Sequence, residues 1–141
     1  MVLFSYVRRI RTMKTLLFFI LGLACFYEGA DESIEGVWLT QKKDSKIEIT
    51  SAPDGTFSAQ LVWVEAPYGT LVGKQVMKGV VYDNASGKFN CPWIYDPKLD
   101  ITAKGTARVS GDTLYITARK GIFTKNEFFT REKPASLEKR Q

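Results

Sequence analysis

Apolar and polar residues alternate along the chain between residues 34 and 131, where no stretch has helical periodicity. In one long run, small or apolar residues occupy every second position from Ile101 to Val109, with polar residues between them. A period of two is typical of β-strands that bury one face. The alternation predicts strands in the segments 36–40, 46–50, 57–63, 76–83, 88–95, 101–109, 114–118 and 122–131.

Turn residues separate these runs at short, regular intervals. Pro53-Asp54-Gly55 and Ser110-Gly111-Asp112 are examples, in which glycine supplies the positive φ that tight turns require. Short connections predict sequential hairpins, and closing such a meander into a barrel removes its exposed strand edges. We therefore expect an all-β fold, a single small antiparallel up-and-down β-barrel of about eight strands. It would span residues 31–132 and be followed by a flexible tail, residues 133–141.

Strict alternation also assigns residues to faces of the predicted strands. The third run places four residues on one face: Phe57, Ala59, Leu61 and Trp63. In the last run Arg131 shares a face with Glu127 and Lys125. If Arg131 points into the barrel, these two charged residues point inward as well, unless a β-bulge intervenes.

The first thirty residues have the composition of a signal peptide rather than of a folded domain. Basic residues precede an apolar segment at residues 15–27: Arg8, Arg9, Arg11 and Lys14. As a helix, that segment would reach about 20 Å, short of a hydrocarbon core about 30 Å thick. Its length therefore indicates the hydrophobic region of an export signal, with Met1 or Met13 as the start.

Two processing routes remain open for this leader. Cleavage near Ala30 would release a soluble domain, whereas lipidation of Cys25 would anchor it, because Leu21–Ala24 loosely resembles a bacterial lipobox. Cys25 is otherwise an ordinary apolar residue of the leader. Both routes predict an exported protein in the periplasm, at the outer membrane or secreted by a Gram-negative bacterium. Membrane contact is expected only through the leader or a Cys25 lipid anchor.

Composition excludes several classes of function. The leader carries +3 of the formal net charge of +5, so no basic stripe remains in the domain to bind nucleic acid. The sequence has no histidine, which excludes histidine-based catalytic triads and imidazole metal sites. Its two cysteines cannot form a disulfide framework. We expect no metal and no cofactor.

The first and last predicted strands carry two side chains that can pair with each other. Gly36-x-Trp38 opens the first strand and Arg131 closes the last, and these strands are neighbours in a closed barrel. An indole face is the best cation–π partner for an arginine. The pairing resembles the signature of the calycin superfamily, which includes lipocalins, fatty-acid-binding proteins and avidins. The resemblance implies that Gly36, Trp38 and Arg131 close one end of the barrel, a structural role.

A further set of motifs resembles the bacterial envelope family known as domain of unknown function 2147, over residues 34–133. In chain order the motifs are Gly36-Val-Trp-Leu-Thr, Leu61-Val-Trp-Val64, Pro67, Lys78-Gly79-Val80, Trp93-Ile-Tyr-Asp-Pro97, Asp112-Thr-Leu114 and Phe129-Thr-Arg131. This resemblance implies a calycin-like fold and an envelope location. It supplies no activity and no catalytic residues.

Three carboxylates and one thiol are the candidates for chemistry. Asp96, Asp100 and Glu65 would suit acid–base work if they converged in one cleft with split pKa values. The alternative for Asp96 is to cap its turn through backbone N–H groups. Cys91 lacks a histidine partner, so a buried, inert thiol is the favoured interpretation. We expect no catalytic residues.

The aromatic residues lead to the functional hypotheses. Trp63, Trp93 and Tyr95, with Asp96, would line the mouth of a hollow barrel as a ligand site, or else pack as core. The leading hypothesis is non-enzymatic binding of a small hydrophobic or amphipathic ligand in the cell envelope. The second is a structural or protein-interaction protein with a solid barrel. The third is a histidine-free hydrolase or isomerase that uses the three carboxylates.

Overall fold

β-Strands dominate residues 33–133, which are the part of the chain that the structure, a computed structural model, describes. The predicted leader, with Cys25, and nearly all of the predicted tail lie outside these residues. The strands are β1 (Gly36–Thr40), β2 (Ser45–Ser51), β3 (Phe57–Val64), β4 (Gln75–Asp83), β5 (Lys88–Asp96), β6 (Ile101–Ser110), β7 (Thr113–Lys120) and β8 (Phe123–Arg131). Each lies close to a predicted segment.

Every strand pairs antiparallel with its neighbours in sequence, and β8 returns to pair with β1, so the barrel is closed. The closing register sets Trp38 opposite Arg131 and Thr40 opposite Phe129. The predicted all-β, up-and-down barrel is confirmed, and its architecture is consistent with a calycin-like fold. A short 3₁₀ turn, Gly69–Leu71, interrupts the β3–β4 connection. Among the described residues, no helix has the length and apolarity needed to cross a membrane.

The up-and-down order puts the connections alternately at two ends. We call one end the mouth; it carries the β1–β2, β3–β4, β5–β6 and β7–β8 connections, residues 41–44, 65–74, 97–100 and 121–122. We call the other the Trp38 end; it carries residues 33–35 and the three remaining turns, 52–56, 84–87 and 111–112. Polar and charged side chains concentrate at the turns of both ends.

A continuous apolar core fills the described barrel. Its fully buried members include Trp38, Ile34, Ile49, Met77, Leu114, Val80 and Cys91. The alternation of β6 is confirmed on the inner face, where Ala107 and Val109 are buried. The barrel formed by the described residues is a compact unit in its own right. A closed ladder around one core provides both the paired backbone and the apolar burial that independent folding requires.

Irregular pairing changes the predicted face of Trp63. A register shift beside Lys46 lets Leu61 pair with Ile47 in the interior while Trp63 pairs with Lys46 outside. Leu61 and Val64 are therefore both buried, whereas Trp63 is 41% exposed. The prediction that Trp63 shares a face with Leu61 is wrong, because one extra residue in a strand reverses the alternation beyond it.

A similar irregularity turns the aromatic residues of β5 outward. The register shifts between Cys91 and Ile94, both of which lie on the inner side of the sheet. Trp93 pairs with the exposed Lys78 of β4, and Tyr95 follows on the same outer face. Trp63, Trp93 and Tyr95 thus all face outward from the barrel wall, near the ends of β3 and β5 that lead into the mouth connections.

Candidate functional site

Trp38 plugs one end of the barrel. Its side chain is 0% exposed, and its indole Nε1 donates a hydrogen bond of 2.9 Å to the carbonyl oxygen of Ile34. Ile34 is itself buried, so the segment before β1 folds over the end of the barrel. The indole thus has its single donor satisfied while its rings remain in the core.

Arg131 holds this end together from the last strand. Its guanidinium carbon lies 4.2 Å from the centre of the Trp38 ring. Its two terminal nitrogens donate to the carbonyl oxygens of Glu35 and Ser33, at 2.8 and 2.6 Å. Gly36 has φ +130, and a Cβ there would lie 3.1 Å from the guanidinium. These contacts hold β8 against the segment before β1 and so stabilise the closed barrel. None of them involves a side chain proposed as a catalytic acid, base or nucleophile.

The mouth is bridged by a side-chain cluster that we call the Lys98 latch: Lys98, Asp44 and Tyr68. Lys98 Nζ lies 2.8 Å from Asp44 Oδ2 and 5.1 Å from the centre of the Tyr68 ring. The three residues belong to three different connections, so the latch ties the β5–β6, β1–β2 and β3–β4 loops together. Asp44 Oδ1 also accepts hydrogen bonds from the hydroxyls of Thr40 and Ser45, at 2.9 and 3.2 Å.

The latch makes a prediction about acid stability. The hydrogen bond from Lys98, followed by burial that acts the other way, leaves the pKa of Asp44 below its ordinary value of 3.8. A lowered pKa in the folded state stabilises the fold above the unfolded pKa, and this contribution is lost as the pH falls through the folded pKa. The free energy of unfolding of the wild type should exceed that of Asp44→Asn by about 1 kcal/mol at pH 6 or above.

Urea unfolding at a series of pH values measures this difference. The gap between wild type and Asp44→Asn should shrink as the pH falls from about 5 to about 2. Asp112→Asn is the control, because it removes a carboxylate from an exposed turn at the other end of the barrel. Asp112 lies 4.0 Å from Arg131 Nε, a longer contact than the one between Asp44 and Lys98. A gap that stays constant over this range would show that the Asp44 carboxylate has no electrostatic role in the latch.

The three candidate carboxylates make separate contacts. Asp96 Oδ1 accepts hydrogen bonds from the backbone N–H groups of Lys98 and Leu99, at 2.9 and 3.3 Å, and so caps the β5–β6 turn. Asp100 accepts a hydrogen bond of 3.0 Å from the hydroxyl of Tyr95, which raises the pKa of that phenol. The backbone N–H of Glu65 bonds to the β1–β2 connection. No shared contact joins these acids among the described residues.

The charged pair anticipated from the alternation of β8 is present. Glu127 pairs with the buried Ile116 of β7, which places Glu127 on the inner side, and no register shift occurs between these strands. Lys125 Nζ lies 2.7 Å from Glu127 Oε1, and this hydrogen bond, reinforced by Asp96, raises the pKa of Lys125. The part of the inner face that β8 provides near the mouth is therefore charged.

A lysine lies over the ring of each of the two outer tryptophans, Trp63 and Trp93. Lys78 Nζ lies 4.5 Å from the centre of the Trp93 ring, which in turn stacks on Tyr95 at 5.6 Å. Lys46 Nζ lies 5.8 Å from the centre of the Trp63 ring. Cation–π contacts of this kind cover aromatic faces without burying them.

A shallow groove of about 390 Å³ crosses the outer face of β6, β7 and β8. Arg108 lies 4.8 Å from the centre of the Tyr115 ring at one side of the groove, next to the exposed ring of Phe128. The hydroxyl of Thr117 donates a hydrogen bond of 2.9 Å to the side chain of Asn126 across the groove floor. The groove thus combines exposed aromatic rings with a cation and polar groups.

Among the described residues, the Cys91 thiol is not activated as a nucleophile, and the acidic side chains are not grouped to bind a metal ion. Burial raises the pKa of the Cys91 thiol to about 12, so the thiolate is not available near neutral pH. Within residues 33–133, no group of three or more acidic or cysteine side chains is placed to hold a metal ion. The inner position of Cys91 follows directly from the alternation of β5.

The sequence analysis missed the Lys98 latch and the groove. Lys98 was considered only as part of a turn, since nothing local connects it with Asp44, which is 54 positions away. The sequence does contain a pattern from which part of the groove could be predicted. Arg108 and Tyr115 occupy outward positions on either side of the Ser110-Gly111-Asp112 turn. Register counted back from that turn would place them opposite each other.

Comparison of the chain with protein-family models, with curated proteins and with solved structures finds no match. The architecture of the barrel and the contacts of its residues therefore carry the functional argument by themselves.

Proposed function

We propose that this chain is a non-enzymatic interaction module, a barrel with a solid core that binds a protein partner through its outer face. The observation that carries the proposal is the outward orientation of the aromatic residues. Trp63, Trp93 and Tyr95 lie on the wall, while the interior is occupied by buried apolar side chains. A ligand site inside the barrel would need the opposite arrangement.

The outer groove is the surface best suited to a protein. Tyr115 and Phe128 expose 43% and 42% of their surface. The guanidinium of Arg108 stacks on the Tyr115 ring and is exposed to solvent. Tyrosine, phenylalanine and arginine are enriched at protein interfaces and supply most of their binding energy. The groove is too shallow and open to enclose a small molecule on most sides, which favours a protein surface over an isolated ligand.

We infer that the module works in a bacterial cell envelope after export. The support is the basic-then-apolar leader and the motifs that resemble domain of unknown function 2147. Membership of that family and of the calycin superfamily is part of the same proposal. Cleavage near Ala30 and lipidation of Cys25 are distinguished by the mass of the mature N-terminus, which we expect to begin close to residue 31.

The experiment starts from mature protein purified gently from its own envelope. Native mass spectrometry should show the bare mass of the chain, or a complex with a second polypeptide. A small molecule that leaves only when the barrel unfolds would overturn the proposal in favour of ligand binding. The test separates the two functions because each predicts a different added mass.

Variants of the groove make the test specific. Tyr115→Ser combined with Phe128→Ser should reduce recovery of the partner polypeptide at least tenfold, since both rings are exposed and aromatic anchors dominate interface energies. Val81→Ser is the matched control, because Val81 is 48% exposed on β4, away from the groove. Equal recovery with both variants would show that the groove is not the contact surface.

A further inference from the structure

The turn between β7 and β8 carries the most exposed large apolar side chains of the described residues. Ile122 is 93% exposed and Phe123 is 75% exposed at the tip of this hairpin. Leu99, in the neighbouring connection at the mouth, is 63% exposed. Exposed apolar side chains that gather at one end of a molecule mark a contact surface.

The geometry of the turn does not require an apolar residue. The β7–β8 connection is the two-residue turn Gly121-Ile122, in which Gly121 has φ +59. At the opposite end, β6 and β7 are joined by Gly111-Asp112, in which Gly111 has φ +58. The two turns share length and backbone conformation, and polar residues are the usual choice at the second position. The conformation of the turn therefore does not require an apolar side chain at position 122.

The same hairpin is basic on its stem. Arg119 and Lys120 precede the turn and form no ion pair with any carboxylate of the described residues, while Lys42 and Lys43 occupy the β1–β2 turn at the same end. At the mouth, the connections and the strand ends beside them carry six basic residues and four acidic ones, the acidic residues being Asp44, Glu65, Asp96 and Asp100. The Trp38 end carries five acidic residues, Glu35, Asp54, Asp83, Asp112 and Glu132, and three basic ones, Lys88, Arg131 and Lys133. The mouth thus combines an excess of basic residues with exposed apolar side chains, and the Trp38 end has an excess of acidic residues.

We propose that the mouth end of the barrel docks on an anionic lipid bilayer, with Ile122 and Phe123 inserted among the headgroups and acyl chains. Arg119, Lys120 and the β1–β2 lysines would face the lipid phosphates. Apolar insertion combined with basic residues is how surface-bound segments hold to anionic membranes. The acidic Trp38 end points away from the bilayer in this orientation, which the same field favours.

This attachment is independent of the groove and of the proposed function. It also differs from the membrane contact expected from the sequence, which involved only the leader or a lipid on Cys25. A leader or lipid holds the chain near a bilayer without orienting it, whereas docking of the hairpin tip fixes which end of the barrel faces the lipid. The outer groove on β6–β8 would then lie at the side, open to a partner.

Vesicle co-sedimentation tests the proposal on the domain from Glu32 to Gln141, which lacks the apolar leader. The domain should bind vesicles of equal parts phosphatidylglycerol and phosphatidylcholine, and binding should weaken as salt is raised. Ile122→Asn should weaken this binding about tenfold by removing the inserted side chain. Arg119→Gln and Lys120→Gln should each weaken it about fivefold.

Matched variants at the other end serve as controls. Val81→Ser removes an exposed apolar side chain from the wall, and Lys88→Gln removes a charge at the Trp38 end. Both should bind vesicles like the wild type, and all variants should keep the wild-type urea midpoint, since asparagine suits the turn at position 122.

Four results would overturn the proposal. They are wild-type protein that leaves anionic vesicles unbound, equal binding to pure phosphatidylcholine, full binding by Ile122→Asn, and a wild-type dimer that Ile122→Asn dissociates. The last would identify a second copy of the chain as the occupant of the tip. Tyr115→Ser should leave vesicle binding unchanged, so a failure here is distinct from a failure of the groove as a protein contact.

Discussion

Replacing Trp38 by alanine is expected to lower the free energy of unfolding by about 3–5 kcal/mol, enough to unfold much of a marginally stable domain. The side chain is 0% exposed, and its removal leaves a cavity at the plugged end of the barrel. The loss also deprives the carbonyl of Ile34 of its 2.9 Å hydrogen bond and the Arg131 guanidinium of its stacking surface. The substitution removes the core packing, the hydrogen bond and the cation–π contact together, because one indole makes all three.

Urea unfolding of the Glu32–Gln141 domain, followed by circular dichroism, measures the loss. Trp63→Ala is the matched control, since it removes the same side chain from an exposed outer position beside Lys46. The control should cost about 1 kcal/mol or less, the range of an exposed cation–π contact. Equal losses for the two variants would contradict the view that Trp38, rather than tryptophan content in general, closes the barrel.

The fold was predictable because the signals that specify it are local. Most strands show their own alternation, and every turn except the β1–β2 turn contains a glycine or proline, so the segments follow from a few residues at a time. β1 illustrates this, because the predicted segment 36–40 coincides with the strand Gly36–Thr40. Barrel closure was predicted because it removes the exposed strand edges. Trp38 of the first strand and Arg131 of the last lie opposite each other in the closing register.

The faces of the aromatic residues were not predictable in the same way. Trp63 and Trp93 each lie beside a register shift, and the position of a shift depends on the partner strand rather than on the strand itself. The sequence of β3 alone is compatible both with a regular strand and with a strand that contains one extra residue. Counting every second residue from Phe57 therefore carried Trp63 to the wrong side.

The contacts at the mouth escaped prediction because they join distant segments. Lys98 and Asp44 lie on either side of four strands in the sequence, β2 to β5, and meet only when the barrel has formed. The Lys125–Glu127 pair is the exception, since both residues lie on one strand and the inward direction of Arg131 implied their own. The charged pairs near the mouth disfavour an apolar ligand there, because an apolar group that covers them removes their contact with water.

Replacing Gly105 by alanine is expected to destabilise the barrel by about 3 kcal/mol, although the change adds a single methyl group. A Cβ at this position would overlap the carbonyl oxygen of Thr117 and lie 3.1 Å from the Cα of Ala118 on the adjacent strand. Both neighbours are backbone atoms that hold the β6–β7 ladder, so no side-chain rotation relieves the clash. Cys91 pairs with Gly105 from the other side, which blocks a shift of β6 in that direction.

Gly69→Ala is the control for this variant, because it makes the same chemical change where a Cβ would meet open space and the backbone is not left-handed. Its free energy of unfolding should be within about 0.5 kcal/mol of that of the wild type. Amide hydrogen exchange should show the loss in Gly105→Ala concentrated along the β6–β7 ladder, where the displaced Thr117 carbonyl lies. If Gly105→Ala were as stable as Gly69→Ala, the two strands would not be held as close together as their register requires.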